Sequence, residues 1–230
     1  MQIMSSPREL LPLSHPSPSK DTLLSFVSGL LNVIDSRDWA TFKRVALKQP
    51  SSFQSLANII ASCKDYNGVT FLHAAVRNNP PLEIIAEIIQ ICPDSPRARD
   101  CLNRTPLHVA AGTNASVAVM QTLIRSYPEA CNIQDEDGRT PLHFACDSEC
   151  LLFEGDEGRR GPPAFEVVRA LLSGSVEAAS MEDEDCTSPL EYAIISNADV
   201  KVVKILQQAA QLHMRRLQAQ AGQSEKLRIT

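Results

Sequence analysis

The sequence predicts an all-α fold: a solenoid of stacked helix–turn–helix units with an N-terminal helical cap. Three observations carry this. First, Thr105-Pro106-Leu107-His108-Val109-Ala110-Ala111 returns as Thr140-Pro141-Leu142-His143-Phe144-Ala145-Cys146 and, earlier, as Thr70-Phe71-Leu72-His73-Ala74-Ala75, 35 residues apart each time. Self-similarity at such a period marks a stacked array in which each unit touches its neighbours, with no single central core. Second, each copy opens as a helix should. Thr accepts a hydrogen bond from an otherwise unpaired backbone N–H, and Pro suits the first helical position, where its missing N–H is not needed. Third, apolar residues between the copies, such as Ile84, Ile85, Ile88 and Ile89, recur at helical spacing.

Taken in order, residues 1–20 are rich in Ser and Pro and read as a disordered tail, because they bury too little apolar surface to offset their ordering entropy. Residues 21–64 read as a helical capping region of three helices. The first carries Leu23, Leu24, Val27, Leu30, Leu31 and Ile34; the second, near 38–48, carries Trp39 and Phe42; the third runs near 52–62. An atypical end unit of this kind shields the apolar side of the first regular one.

Residues 65–217 read as the repeat domain. Inner helices are expected near 70–78, 105–112, 140–147 and 188–196, and outer helices near 82–92, 115–126, 164–173 and 199–217. The fourth unit has the weaker motif Ser188-Pro189-Leu190-Glu191-Tyr192-Ala193, 48 residues after Thr140. That spacing is one repeat plus an insertion, placed at about 147–163, which begins with the apolar Leu151-Leu152-Phe153. Between units, Asp65-Tyr66-Asn67-Gly68, Asp100-Cys101-Leu102-Asn103, Asp135-Glu136-Asp137-Gly138 and Asp183-Glu184-Asp185-Cys186 fall in register as tight turns with one structural Asp each. Gly and Asn tolerate the left-handed backbone these turns demand. Residues 218–230 are polar and read as a flexible tail.

Thr-Pro-Leu-His motifs at this period, with aligned finger-like turns, resemble the ankyrin-repeat family over about residues 65–210. The resemblance implies that Thr70, Thr105, Pro106, Thr140 and Pro141 cap the inner helices. It also implies that His73, His108 and His143 tie each turn to the next repeat by hydrogen bonds; Glu191 takes that place in the fourth copy, so its turn is held differently. By the same resemblance the chain binds another protein on a concave face of fingers and inner helices. The family's contact positions fall on Tyr66, Asn67, Arg77 and Asn78, then Leu102, Arg104 and Thr113, then Glu136, Arg139 and Asp147, and finally Glu184 and Thr187. Arg77 and Arg104 make one end of that face basic, and the last two fingers make the other acidic, which implies a partner of opposite gradient.

Other chemistries find little support. The three repeat histidines lie a repeat apart, too far to share a metal whose ligand bonds are about 2.0–2.1 Å long. The acidic fingers lack the ligand spacing of a calcium loop. The Gly155–Gly161 stretch is followed by a Pro pair and lacks the Lys-Ser/Thr of a phosphate loop. Cys146 and Cys150 lie close to His143 in sequence, but Cys146 takes a small, helix-stacking position. A stripe of Val203, Leu206 and Ala210 in the last helix fits either a dimer seam or an ordinary outer helix. The expected protein therefore has no catalytic site, metal or cofactor. The formal net charge of −5 argues against a nucleic-acid partner, and no apolar run is long enough to span a bilayer. With seven cysteines lacking paired spacing, a reducing cytoplasmic or nuclear setting is expected. The chain is expected to be monomeric, and a self-assembling scaffold is the alternative.

Overall fold

In a computed structural model of the chain, residues 20–150, 152 and 161–228 are described. Most of the Ser/Pro-rich segment and most of the insertion therefore lie outside the described residues. Among these residues the fold is helical throughout, with no strand.

Three helices form the N-terminal unit. α1 (Lys20–Asp35) is followed by α2 (Trp39–Phe42), which runs on as one π-helical turn over Lys43–Leu47, and then by α3 (Pro50–Ser62). An aromatic chain fastens this unit to the array. Phe42 meets Phe53 edge-on at 5.9 Å between ring centroids, and Phe53 stacks on Phe71 at 5.1 Å. All three rings are buried.

Four helix pairs follow: α4 (Phe71–Arg77) with α5 (Leu82–Ile91), α6 (Pro106–Gly112) with α7 (Val117–Ser126), α8 (Pro141–Cys146) with α9 (Phe165–Gly174), and α10 (Pro189–Ile195) with α11 (Val200–Arg228). Inner helices stack on inner helices and outer on outer, so the core is a band running the length of the array. Leu72, Leu107 and Leu142 form its inner row, and Ile88, Leu123, Leu171 and Leu206 its outer row. Of the stripe noted in the last helix, Val203 and Ala210 are half-buried. Leu206 belongs to this row and is fully buried against the array, as an outer helix requires.

Left-handed residues punctuate the chain at fixed places. Asn79, Asn114 and Asn197 close the turn between inner and outer helix with φ of 50°, 55° and 51°. Arg37 does the same between α1 and α2 (φ 58°), so the first helix pair turns as a repeat does. In the fingers, Gly68, Asn103, Gly138 and Cys186 share one left-handed position. At Gly138 a side chain is excluded twice over, because φ is +74° and a Cβ would sit 2.9 Å from the Glu184 backbone nitrogen.

The C-terminal end differs from the sequence reading. α11 does not stop near 217; it continues to Arg228. The segment expected to be a flexible tail is mostly Gln, Ala, Glu, Lys, Leu and Arg, which lose little on entering a helix, and it holds one Gly and no Pro. Polarity alone did not mark a helix end.

Replacing Gly138 by Ala is expected to lower unfolding stability by about 1–3 kcal/mol, from backbone strain and displacement of the neighbouring finger. Gly29, whose Cβ would meet nothing within 4 Å, is the control. As a helical position, its change to Ala should be neutral or stabilising by urea unfolding.

Candidate partner-binding face

Each regular repeat begins with the same three-way bond. In the first, the Thr70 backbone N–H donates to His73 Nδ1 at 3.2 Å, and the His73 N–H lies 3.4 Å from Thr70 Oγ1. Because Nδ1 accepts, the ring's proton sits on Nε2, which donates to the Arg104 carbonyl of the next repeat at 3.1 Å. His108 repeats this toward the carbonyls of Ile133 (3.1 Å) and Arg139 (3.2 Å), and His143 toward that of Thr187 (3.2 Å). One imidazole thus caps its own helix and clasps the following repeat. In the fourth unit Glu191 Oε2 accepts from both the backbone N–H and the hydroxyl of Ser188, each at 2.7 Å. The cap is kept, in the form of a capping box, but a carboxylate has no N–H to pass forward. These bonds hold the Glu191 carboxyl below the ordinary carboxylate range.

The second, third and fourth fingers are fixed by their aspartates, whereas Asp65 of the first is exposed and accepts from the Cys63 thiol at 3.5 Å. Asp100 Oδ1 accepts from the N–H of Leu102 and Arg104, Asp135 Oδ1 from Asp137 and Arg139, and Asp183 Oδ1 from Asp185 and Thr187. Successive fingers are joined by single backbone bonds: Cys101 N–H to the Asn67 carbonyl at 2.7 Å, Glu136 to Leu102 at 3.0 Å, and Glu184 to Asp137 at 3.0 Å. The result is a row of tips with fixed backbones and outward side chains.

Against this geometry the proposed contact residues divide. Asn67, Leu102, Glu136 and Glu184 are exposed tip side chains, one per finger. Arg77 lies partly exposed at the end of α4. Asn78 and Arg104, by contrast, are buried and used inside the fold. The Asn78 amide donates to Asp35 Oδ1 and the Ala74 carbonyl, both at 3.1 Å, fastening the first repeat to the cap. Arg104 pairs with Asp100 at 2.8 Å and donates to the carbonyl of Leu152 at 3.1 Å. Its charge is neutralised internally, so the basic end of the expected gradient loses its main cation. Arg104 also holds the start of the insertion, where Leu152 packs back into the core.

Three more are partly committed. Tyr66 reaches the cap, its hydroxyl 2.9 Å from Ser28 Oγ. The Thr113 hydroxyl donates to the Val109 carbonyl at 2.8 Å. Arg139 lies over the Tyr192 ring, 4.9 Å from its centroid, and donates to the Tyr192 hydroxyl at 2.6 Å and to Asp147 Oδ2 at 3.4 Å. Tyr192 donates in turn to Asp183 at 2.8 Å. Burial and that bond push its phenol up to about 12. Arg139, Asp147, Asp183 and Tyr192 are therefore a brace between the last two repeats. Thr187 offers its carbonyl to the clasp and keeps a half-exposed side chain.

One residue escaped the sequence reading. Ile195 stands where Arg77 and Asp147 stand in their repeats, and it is 68% exposed. Repeat register alone would have found it.

Burial sets the thiol chemistry of three cysteines. Burial drives the Cys146 thiol far above its ordinary value, and it pushes Cys92 and Cys131 up to about 11. Such thiols stay protonated and are poor nucleophiles.

The family comparison agrees with the clasps and fingers. A family model described as Ankyrin repeats (3 copies) matches residues 72–153, and a single Ankyrin repeat matches residues 137–181. Residues 72–181 are ankyrin repeats. Ankyrin repeats are in general protein–protein interaction modules. No curated protein matches the sequence.

Burial makes the clasp histidines acid-sensitive. It is the largest cause in all three, lowering His73 and His143 from 6.5 to about 4 and His108 to about 3. The unfolded chain therefore binds more protons below pH 6.5, so stability is full above that value and falls as pH drops toward 4. Each histidine contributes a slope of about 1.4 kcal/mol per pH unit in that window. Urea midpoints measured from pH 7.5 to 4.5 should fall steadily below 6.5. A flat profile to pH 5 would contradict burial of the neutral rings.

Proposed function

We propose that the chain is a non-catalytic binding module that takes a partner protein along the concave row of finger tips and inner-helix ends. The observation that carries this reading is the row itself. Asn67, Leu102, Glu136 and Glu184 are exposed on turns whose backbones are held by neighbouring fingers and, in the second to fourth fingers, by aspartates. A partner meeting such a row orders few new groups on the array's side, which keeps the entropic cost of association low. The third and fourth fingers expose Glu136, Asp137, Glu182, Glu184 and Asp185, while Leu102 and Ile195 supply apolar contact area. The matching partner is a protein surface with cationic groups beside an apolar anchor.

The test is affinity capture from cell extract with the wild-type chain and a variant carrying Leu102→Glu, Glu136→Arg and Glu184→Arg. All three sites are exposed, so both proteins should unfold at the same temperature. A partner bound by wild type should be lost from the variant by at least about tenfold in affinity. Its association should slow as salt is raised from about 0.05 to 0.5 M. Equal capture by both proteins would contradict the reading.

A further inference from the structure

The third repeat leaves its inner helix in a different direction from the others. After α4, α6 and α10 the capping residues Asn78, Thr113 and Ser196 have ψ of 18°, 5° and 7°. The left-handed Asn79, Asn114 and Asn197 then turn the chain toward the outer helix. After α8 the capping residue Asp147 is extended, with ψ of 108°. Four residues join the two helices of the first and second repeats (78–81 and 113–116), but 18 join those of the third (147–164). The added length is not needed to make the connection.

The described part of this segment lies over the bases of two fingers. Asp147 Oδ2 accepts from Arg139 Nη1 at 3.4 Å, and its Oδ1 accepts from the Glu149 N–H at 2.9 Å. The Cys150 thiol lies close enough to the Arg139 guanidinium to interact with its charge. The Leu152 carbonyl accepts from Arg104 Nη1 at 3.1 Å. Arg139 and Arg104 hold one register position in consecutive repeats, so the segment crosses from the third repeat to the second. Cys150 and Leu152 are 9% and 6% exposed. The Arg104 side chain, which holds Leu152, is 9% exposed, against 24% for Arg139.

Arg104 and Arg139 are both among the proposed contact residues, so the chain itself occupies the middle of the proposed face. It occupies it reversibly in one respect. Arg104 Nε and Nη2 both reach Asp100 Oδ2 at 2.8 Å. Lifting Leu152 away therefore leaves the buried charge paired, whereas breaking the pair itself would be strongly destabilising. What Leu152 brings to this place, a carbonyl acceptor and a leucyl side chain to bury, another peptide can bring equally.

We propose that the bases of the second and third fingers form a recess for an extended peptide segment bearing a leucine, which the chain fills with its own Leu152. A partner on the concave face competes with that segment, so the insertion lowers the affinity of the face. The partner's role rests on the concave-face reading; the recess itself does not.

The test is fluorescence anisotropy with a labelled peptide of residues 148–154 under reducing conditions. In one variant of the full chain, residues 149–163 are replaced by Asn-Ala, which stand at the matching place in the second repeat. In another, Leu152→Asp keeps the connection but cannot seat. Both should keep the wild-type helical signal. A tethered segment competes at an effective concentration of about 1 mM. Both opened proteins should therefore bind the peptide with a dissociation constant of about 0.1 mM or below, and wild type at least tenfold more weakly. Leu152→Asp in the peptide should abolish binding. No binding to either opened protein at about 1 mM peptide, or equal binding to wild type, overturns the proposal. A partner captured from extract should bind the opened proteins more tightly than wild type, and equal affinity would overturn the competition. A recess that takes the peptide while no protein is captured would count against the concave-face reading alone.

Discussion

The structure depends on a hydrogen bond that leaves one repeat and lands on the next. Each clasp histidine takes the backbone N–H of its own cap on Nδ1, which fixes the proton on Nε2, and Nε2 then reaches a carbonyl one repeat on. The bond works only for a neutral ring, and burial keeps the ring neutral. Capping, burial and repeat-to-repeat attachment thus act through one side chain. The tight finger turns follow, since the carbonyls that receive the clasp belong to Arg104, Arg139 and Thr187, which the finger aspartates hold by their N–H groups.

The same logic explains how the array stops. Glu191 reproduces the cap but has nothing to donate forward, and Ile194 turns toward solvent a position that is elsewhere filled by the next repeat. At the other end the aromatic chain from Phe42 through Phe53 to Phe71 replaces the clasp with packing. The two ends of the described solenoid therefore differ: one is closed by a buried aromatic contact within the chain, and the other leaves Ile194 and Ile195 exposed.

Much of this was legible from the sequence because the repeat makes it so. A fixed period puts Thr70, Thr105 and Thr140 in one role and the finger aspartates in another, and few alternatives to a helix stack fit both. What was not legible was where long side chains turn. Register placed Arg104 on the concave face but could not show that it folds back on Asp100. The four-residue spacing of Asp100 with Arg104, repeated by Asp135 with Arg139, was the available signal. Asn78 was misplaced for a similar reason, since its partner Asp35 lies in the divergent cap, 43 residues away. Leu152 packs into the core although it belongs to an insertion with no counterpart in the other repeats. The length of α11 was missed because polar residues were taken as a helix end, although the residue types present favour continuation.

The most direct measurement is the long-range proton–nitrogen spectrum of the imidazoles at pH 7. It reports which ring nitrogen of His73, His108 and His143 carries the proton and how fast that proton exchanges with water. The clasp requires all three rings to be protonated on Nε2 alone, with slowly exchanging protons. A mixture of tautomers, or an Nε2 proton exchanging as fast as an exposed one, would show that the repeats are not held together in this way.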